Sequence, residues 1–93
     1  MRRVTHGDAI SAARVLLRVP GRRREWVLAR MLREAGRADK WVRATGRAHP
    51  LWGDGSLMAA ALRRQPVSEP SLDDAGYCLC LSLVFFALAW RAR

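Results

Sequence analysis

Three residues in one short segment, His49, Asp54 and Ser56, are of the types that form a hydrolytic triad. A histidine base, an orienting carboxylate and a serine nucleophile can together catalyse acyl transfer. Closeness in sequence does not establish a triad, because triads are recognised by the geometry of an activated nucleophile. The segment also needs turn and cap residues, and Asp54 and Ser56 suit those roles. We therefore expect structural roles for all three residues, with no catalytic residue and no enzymatic activity.

Metal and redox chemistry have little support in the sequence. Four candidate metal ligands lie in two separated segments: His6, Asp8, His49 and Asp54. They lack a paired spacing such as HxxxH, so we expect no metal and no other cofactor. Cys78 and Cys80 are separated by one residue, which points them to different faces of a helix and makes a mutual disulfide unfavourable. We expect both cysteines to act as small buried apolar residues in a reducing compartment.

The chain is strongly basic, with a net charge of +9 from 17 basic and 8 acidic residues. The charge is concentrated in residues 22–47, which sum to +6, whereas residues 48–93 sum to zero. Such a concentration is typical of a surface that binds an anionic partner. Lys40 is the only lysine, however, and a bias toward arginine and alanine is also what a GC-rich genome produces without selection for binding. The sequence leaves both explanations open.

Basic and aromatic side chains recur at helical spacing in this middle segment. We call them the basic stripe: Arg23, Trp26, Arg30, Arg33, Arg37 and Lys40. Guanidinium and indole groups on one helix face can pair with phosphates and stack on bases, as in proteins that bind nucleic acid. The same face could bind an acidic protein, or could be a solvated surface with local cation–π contacts. No zinc-finger, RNA-recognition or basic-zipper motif favours nucleic acid.

Four predicted helices position these residues, so the predicted fold class is all-α. Apolar residues recur every three or four positions, which predicts helices over about residues 8–19, 22–45, 57–64 and 72–91. Pro20 and Gly21 end the first helix, and Gly46 ends the second. Ser71 is positioned to cap the fourth. With residues 65–70 as a proline-containing linker, residues 1–93 should form one domain, a small bundle of three longer helices and one short helix.

The fourth predicted helix is apolar on every side. From Ala75 to Trp90 it has no charged residue, and this length spans about 24 Å at 1.5 Å per residue. A bilayer core is about 30 Å thick, so crossing it would be marginal. The rest of the chain is too short to cover such a helix completely, so we expect Phe85, Phe86 and Trp90 to lie at the surface and contact a protein partner or a second copy. A purely internal helix and a membrane-inserted one are the alternatives.

The stretch HPLWGDGSLMAAAL, at residues 49–62, resembles a family of short uncharacterised all-helical proteins from alphaproteobacteria. The opening HGDAISAARVLLRVP and the later LDDAGYCLCLSLVF resemble the same family. The resemblance implies a bacterial, cytoplasmic protein, but it supplies no activity, cofactor or functional residue. Phe86 departs from the family, in which a polar residue is expected on the last helix.

Taken together, these patterns predict a small, basic, non-catalytic interaction module or adaptor. It would bind a protein partner or self-associate through its last helix, while the basic stripe attracts an acidic surface. The first alternative is an accessory protein that binds nucleic acid through the basic stripe. The second is a small membrane-associated protein that is anchored by the last helix.

Overall fold

Four α-helices make up the regular structure of the protein in a computed structural model that describes residues 1–92. They are α1 (His6–Leu16), α2 (Arg24–Thr45), α3 (Leu57–Leu62) and α4 (Ala75–Arg91). A 3₁₀ turn, Gly21–Arg23, precedes α2, and no β-strand occurs among the described residues. The predicted all-α class is confirmed, with three longer helices and one short one.

The first helix begins earlier and ends earlier than its apolar pattern predicts. Thr5 and Asp8 form a capping box, in which the Thr5 hydroxyl accepts the N–H of Asp8 and the Asp8 carboxylate accepts the N–H of Thr5 at 2.7 Å. The cap therefore starts the helix at His6. At the other end, Nε of Arg24 donates to the carbonyl oxygens of Leu16 and Val19, at 2.9 and 3.0 Å. This side chain satisfies carbonyl groups that a longer helix would have used internally.

The fourth helix begins at Ala75, and the prediction that Ser71 caps it is wrong. Oδ1 of Asp74 accepts the backbone N–H of Tyr77 at 2.8 Å and forms the cap. The hydroxyl of Ser71 instead accepts the N–H of Asp73, at 3.1 Å, in the turn before the helix. Both residues are good caps, and only the path of the chain through this turn decides between them.

The core forms around α1, which packs against α2, α3 and α4. Many of its buried side chains are alanine, which lets the helices approach closely: Ala9, Ala12, Ala13, Ala35, Ala60 and Ala61. Larger side chains fill the space between them, and the largest fully buried ones are Tyr77, Leu16, Met31 and Leu57. Helix α4 faces this core with Tyr77, Cys80 and Val84. The apolar stripe predicted on the second helix is buried at Leu28, Met31, Leu32 and Ala35.

Buried charged groups connect elements that are far apart in the chain. Oδ1 of Asp8 accepts the backbone N–H of Met58 at 2.9 Å, so this carboxylate caps α1 and also holds the beginning of α3. The guanidinium of Arg64 donates to both carboxylate oxygens of Glu34, at 2.6 and 2.7 Å, and ties the end of α3 to α2. Among the described residues, no buried side-chain nitrogen or oxygen lacks a hydrogen-bond partner.

The linker between α3 and α4 is held against α1 by two arginines. Nε of Arg14 donates to the carbonyl oxygen of Val67 at 2.6 Å, and Nη1 of Arg18 donates to the carbonyl oxygen of Gln65. The hydroxyl of Tyr77 donates to the Glu69 carboxylate at 3.0 Å. Burial raises the pKa of this phenol, and the hydrogen bond and the charge of Glu69 act in the same direction. Part of the arginine content therefore serves the fold and not a partner.

Candidate docking groove

The three residues of the possible triad have other hydrogen-bond partners. Nδ1 of His49 accepts the backbone N–H groups of Leu51 and Trp52, at 3.0 and 3.1 Å. The hydroxyl of Ser56 accepts the N–H of Ala59, at 3.1 Å, and caps α3. Because both groups are engaged in shaping the loop and the helix start, the arrangement differs from that of a nucleophile bonded to its base.

Asp54 has partners of its own in the same loop. Its Oδ1 accepts the N–H of Ser56 at 2.9 Å, and its Oδ2 accepts a hydrogen bond from Nη1 of Arg2 at 2.9 Å. Hydrogen bonds from the side chain and backbone of Ser56, followed by the charge of Arg2, hold the pKa of Asp54 below its ordinary value, although burial opposes them. The carboxylate is therefore a charged loop-closing group.

Two features of the loop explain why residue 55 is a glycine. Its φ of +93° is in the left-handed region, and a Cβ at this position would lie 2.7 Å from the Cα of Asp39 in α2. The carbonyl oxygen of Gly55 accepts the N–H of Arg2 at 3.1 Å. The backbone of the loop thus lies between α2 and the first residues of the chain, and residues of the HPLWGDGS sequence hold it there.

The candidate metal ligands are not brought together. No group of three or more His, Cys, Asp or Glu residues within residues 1–92 is arranged to hold a metal ion. Cys78 and Cys80 are both free thiols: Cys80 is buried and Cys78 is half-buried, with its Sγ donating to the carbonyl oxygen of Leu72 at 3.0 Å. Burial raises the pKa of the Cys80 thiol. Cys80 thus serves as a small core residue, as the sequence predicted, whereas Cys78 lies at the edge of the core.

The basic stripe divides into two parts in the structure. In the first part, the guanidinium carbons of Arg23 and Arg30 lie 5.3 and 5.1 Å from the ring centroid of Trp26, which is a cation–π arrangement. Arg30 is also 3.8 Å from the carboxylate of Glu34. These two cations therefore already have partners within the chain.

The second part of the stripe lines a groove of about 800 Å³ between α2 and α4. Its cationic side is formed by Arg33, Arg37 and Lys40, and its other side by Phe86 and Trp90. None of these three cations forms an ion pair with a carboxylate in the described part of the chain. Apolar side chains lie between the two sides: Leu28, Leu32, Leu83 and Ala87. The groove is thus apolar inside and positively charged along its α2 edge, and Arg91 adds a further cation at the end of α4.

The aromatic residues predicted as an interface are all exposed, but they do not share one surface. Phe86 is 69% exposed, Trp90 is 63% exposed, and their rings are stacked with centroids 6.4 Å apart. Phe85, at 47% exposed, lies on the other side of α4. There it lines a second cavity, of about 590 Å³, together with His6 and Leu88. The prediction therefore identified two residues of the groove and one residue outside it.

The groove exists because α1 is shorter than its two neighbours. The Leu17 side chain lies beside Gly76, and His6 lies near Phe85, so α1 and α4 run in opposite directions. Helix α1 has 11 residues and α4 has 17, so α4 continues past the beginning of α1. Met1 lines the groove there, and its amino group is 3.4 Å from the Asp39 carboxylate. The sequence did not show this, because helical periodicity gives the length of each helix but not how α1 and α4 are placed along one another.

No helix within residues 1–92 combines the length and the apolar character needed to cross a membrane. Comparison with curated proteins and with solved structures found no match. A family model does match: it is described as a domain of unknown function, DUF7742, and it covers residues 2–88. That range includes all four helices up to the last turn of α4, together with the HPLWGDGS loop and most of the groove. The chain therefore belongs to the DUF7742 family.

Proposed function

We propose that the protein is a small non-catalytic interaction module, and that the groove between α2 and α4 binds an acidic amphipathic helix of a protein partner. One observation carries the proposal: three cations without an ion-pair partner among the described residues face two exposed aromatic rings across a single groove. The cations are Arg33, Arg37 and Lys40, and the rings are those of Phe86 and Trp90.

The chemistry of the groove selects the partner. Its apolar interior favours a helix with leucine or phenylalanine side chains at three- and four-residue spacing, which is the usual way in which a helix binds in a groove. Its basic edge favours carboxylates along one flank of that helix. Tryptophan and arginine are the side chains that most often dominate binding energy in such interfaces. The net charge of +9 would also speed the encounter with an acidic partner.

Nucleic acid is the competing class of partner, and the groove favours it less. The part of the basic stripe that carries an aromatic ring is the cluster of Trp26 with Arg23 and Arg30, whose guanidinium groups already lie over the ring. The cations without an ion-pair partner border an interior of leucine and alanine side chains, which suits the apolar face of a helix better than the polar edges of bases. A polyanion would meet the charge of the groove but leave this apolar interior without an apolar partner.

Two synthetic helical peptides of about five turns provide a direct test. Both present leucine and phenylalanine on one face, and they carry either glutamate or lysine on the other. Fluorescence anisotropy should show that the glutamate peptide binds and that the lysine peptide does not. We expect Arg37→Glu or Phe86→Ser to weaken the binding of the glutamate peptide by about tenfold or more, which corresponds to about 1.4 kcal/mol.

Arg22→Glu is the matched control, since it changes the net charge equally at an exposed residue outside the groove. It should weaken binding only slightly, through long-range electrostatics. The proposal fails if the two charge reversals have the same effect. It also fails if a single-stranded oligonucleotide binds with a steep salt dependence while neither peptide binds.

We further propose that the protein is bacterial and acts in the cytoplasm. This proposal rests on the resemblance of its HPLWGDGSLMAAAL stretch to short alphaproteobacterial proteins. Its two free cysteines are compatible with a reducing compartment. Fractionation of cells that express the full chain, with detection of the protein in each fraction, tests the proposal. Recovery in the membrane fraction after a high-salt wash would favour anchoring by α4 instead.

A further inference from the structure

The outward face of α4 carries a second apolar surface, separate from the interior of the groove. Its residues alternate in steps of three and four, which is the spacing of a coiled-coil seam, and all of them are exposed. We call this surface the outer seam: Leu72, just before the helix, and Ala75, Leu79, Ser82, Phe86 and Ala89 within it. Packing inside the chain does not account for a seam that faces away from α1.

Large and small side chains alternate along the outer seam. Leu72, Leu79 and Phe86 are separated by seven residues each, and the small residues lie midway between them. In an antiparallel pair of such helices, each large side chain can lie opposite a small one. Leu79 then faces Ser82 of the second copy, and Phe86 faces Ala75. This arrangement lets two helices approach closely without leaving cavities.

The charges at the two ends of α4 indicate which direction the second helix would run. Asp73 and Asp74 lie at the beginning of α4, and Arg91 lies at its end. An antiparallel pair brings the arginine end of each helix against the acidic end of the other, and it also opposes the two helix dipoles. A parallel pair would place like charges together at both ends. The excess positive charge of the protein lies in residues 1–47, since residues 48–93 sum to zero.

The exposed apolar area of the outer seam, together with Trp90 four residues after Phe86, approaches the size of a standard dimer interface. Leu72 and Leu79 are 69% and 66% exposed, and Phe86 and Trp90 are exposed to a similar degree. Covering these side chains would bury several hundred Å² per copy, which approaches the roughly 800 Å² per partner of a standard interface. In a two-fold symmetric pair, each outer seam covers the other, so no uncovered seam is left to bind a third copy and start a filament.

We propose that the protein forms a two-fold symmetric dimer through antiparallel pairing of the outer seams of α4. The proposal does not require the partner proposed for the groove, although the two surfaces share Phe86 and Trp90. Leu79 and Ser82 lie on the seam and do not line the groove, whereas Arg33, Arg37 and Lys40 line the groove and lie on another helix. Because Phe86 borders both surfaces and Arg91 also lines the groove, the tests measure dimerisation by molar mass and not by peptide binding.

The first test is the molar mass of the full chain in solution, measured by light scattering across a range of concentrations. Wild-type protein should approach twice the chain mass of 10.5 kDa. Ser82→Arg places a charge in the middle of the seam at an exposed position, so it should yield a monomer whose helical circular dichroism is unchanged. Ser68→Arg, the same change at an exposed residue of the linker, should remain dimeric. A monomeric wild type, or a dimeric Ser82→Arg variant, overturns the proposal.

The second test examines the antiparallel direction by exchanging charges. Arg91 lines the groove and does not lie on the outer seam, so its charge acts on the acidic end of the second copy at a distance. Asp73→Arg and Arg91→Asp should therefore each weaken dimerisation about twofold at low ionic strength, and the double variant should recover it. The two residues lie at opposite ends of a helix of 17 residues, about 25 Å apart, so they cannot interact within one chain. Recovery must therefore come from the charges of the second copy. If the double variant is weaker than either single variant, the antiparallel arrangement is wrong.

Discussion

The imidazole of His49 lies flat on the indole of Trp52, with ring centroids 4.7 Å apart, and its Nδ1 accepts the backbone N–H of the same residue. The edge of the Trp41 ring contacts the imidazole as well, at a centroid distance of 5.2 Å. Because Nδ1 accepts two backbone N–H groups, it acts as an acceptor and the ring keeps its proton on Nε2. The histidine thus shapes the loop as an asparagine does in an Asx turn.

Two substitutions of His49 should separate the contribution of its hydrogen bonds from that of its ring stacking. His49→Ala removes the acceptor and the stacking, and we expect it to lower the free energy of unfolding by about 1–3 kcal/mol in urea titrations. His49→Asn restores an acceptor at nearly the same position and should recover part of the loss. If both variants are as stable as the wild type, the two hydrogen bonds do not stabilise the loop.

Gly55→Ala should be among the most destabilising small substitutions in the chain. The new methyl group would lie 2.7 Å from the Cα of Asp39, and the φ of +93° is unfavourable for alanine. We expect a loss of more than about 2 kcal/mol, which lowers the melting temperature by about 8 °C or more. Gly21→Ala is the control, since its new methyl group has nothing within 4 Å. If the Gly55→Ala variant had the same melting temperature as the control, the close approach of the loop to α2 would be contradicted.

The two cysteines should react at very different rates with a thiol reagent. Cys80 is 1% exposed and burial raises its pKa, so it should react only when the protein opens, whereas half-buried Cys78 should react first. In the Cys78→Ser variant, Cys80 is the thiol that remains. Modification of this variant should be slower than that of the wild type by about an order of magnitude, and urea should accelerate it. Equal rates for this variant and for Cys80→Ser would show that Cys80 is accessible in the folded protein.

The sequence predicted the helices because their signals are local. The burial of Leu28, Met31 and Leu32 follows from their spacing alone, and Gly46 ends α2 with a φ of +73° as its position indicated. The helix ends that were predicted wrongly depend on a residue outside the helix, as at the end of α1, or on the path of the chain through a turn, as before α4. Arg24 completes α1 from outside the helix, which no local pattern reports.

The groove could be predicted only in part, for the same reason. Exposure of Phe86 and Trp90 followed from an excess of apolar surface, and the positions of Arg33 and Arg37 followed from helical spacing. That these two sets face each other depends on the relative lengths and directions of three helices. Likewise, the hydrogen bond from the N–H of Met58 to the Asp8 carboxylate joins residues fifty positions apart, and neither residue type predicts it.

Gln65 has the strained backbone that a simple substitution should relieve. Its φ is +54°, and among the described residues only glycines share a positive φ with it. It lies three residues after Leu62, the last residue of α3. Glycine at this position avoids the steric cost, so Gln65→Gly should raise the free energy of unfolding by up to about 1 kcal/mol. The β-branched Gln65→Val should lower it instead. A stabilising valine would mean that the backbone at this residue is not left-handed in solution.

The ion pair of Glu34 with Arg64 should make stability depend on pH in the acid range. Burial acts to raise the pKa of Glu34, but the hydrogen bonds and charge of Arg64, with the charges of Arg30 and Arg63, hold it below the ordinary 4.5. The unfolded chain therefore takes up this proton at a higher pH than the folded one. The stabilisation is fully present above about pH 4.5, and it is lost as the pH falls through the lower pKa of the folded protein.

Glu34→Gln tests this dependence against Glu25→Gln, an exposed carboxylate of α2 with no ion pair among the described residues. At neutral pH, Glu34→Gln should cost about 2 kcal/mol or more, because Arg64 is left half-buried without its charged partner. Below pH 4.5 the wild type should lose stability more steeply than Glu34→Gln, so the two curves of unfolding free energy converge. Glu25→Gln should follow the wild type throughout. Parallel curves for wild type and Glu34→Gln would mean that Glu34 takes up its proton at the same pH in the folded and unfolded chains.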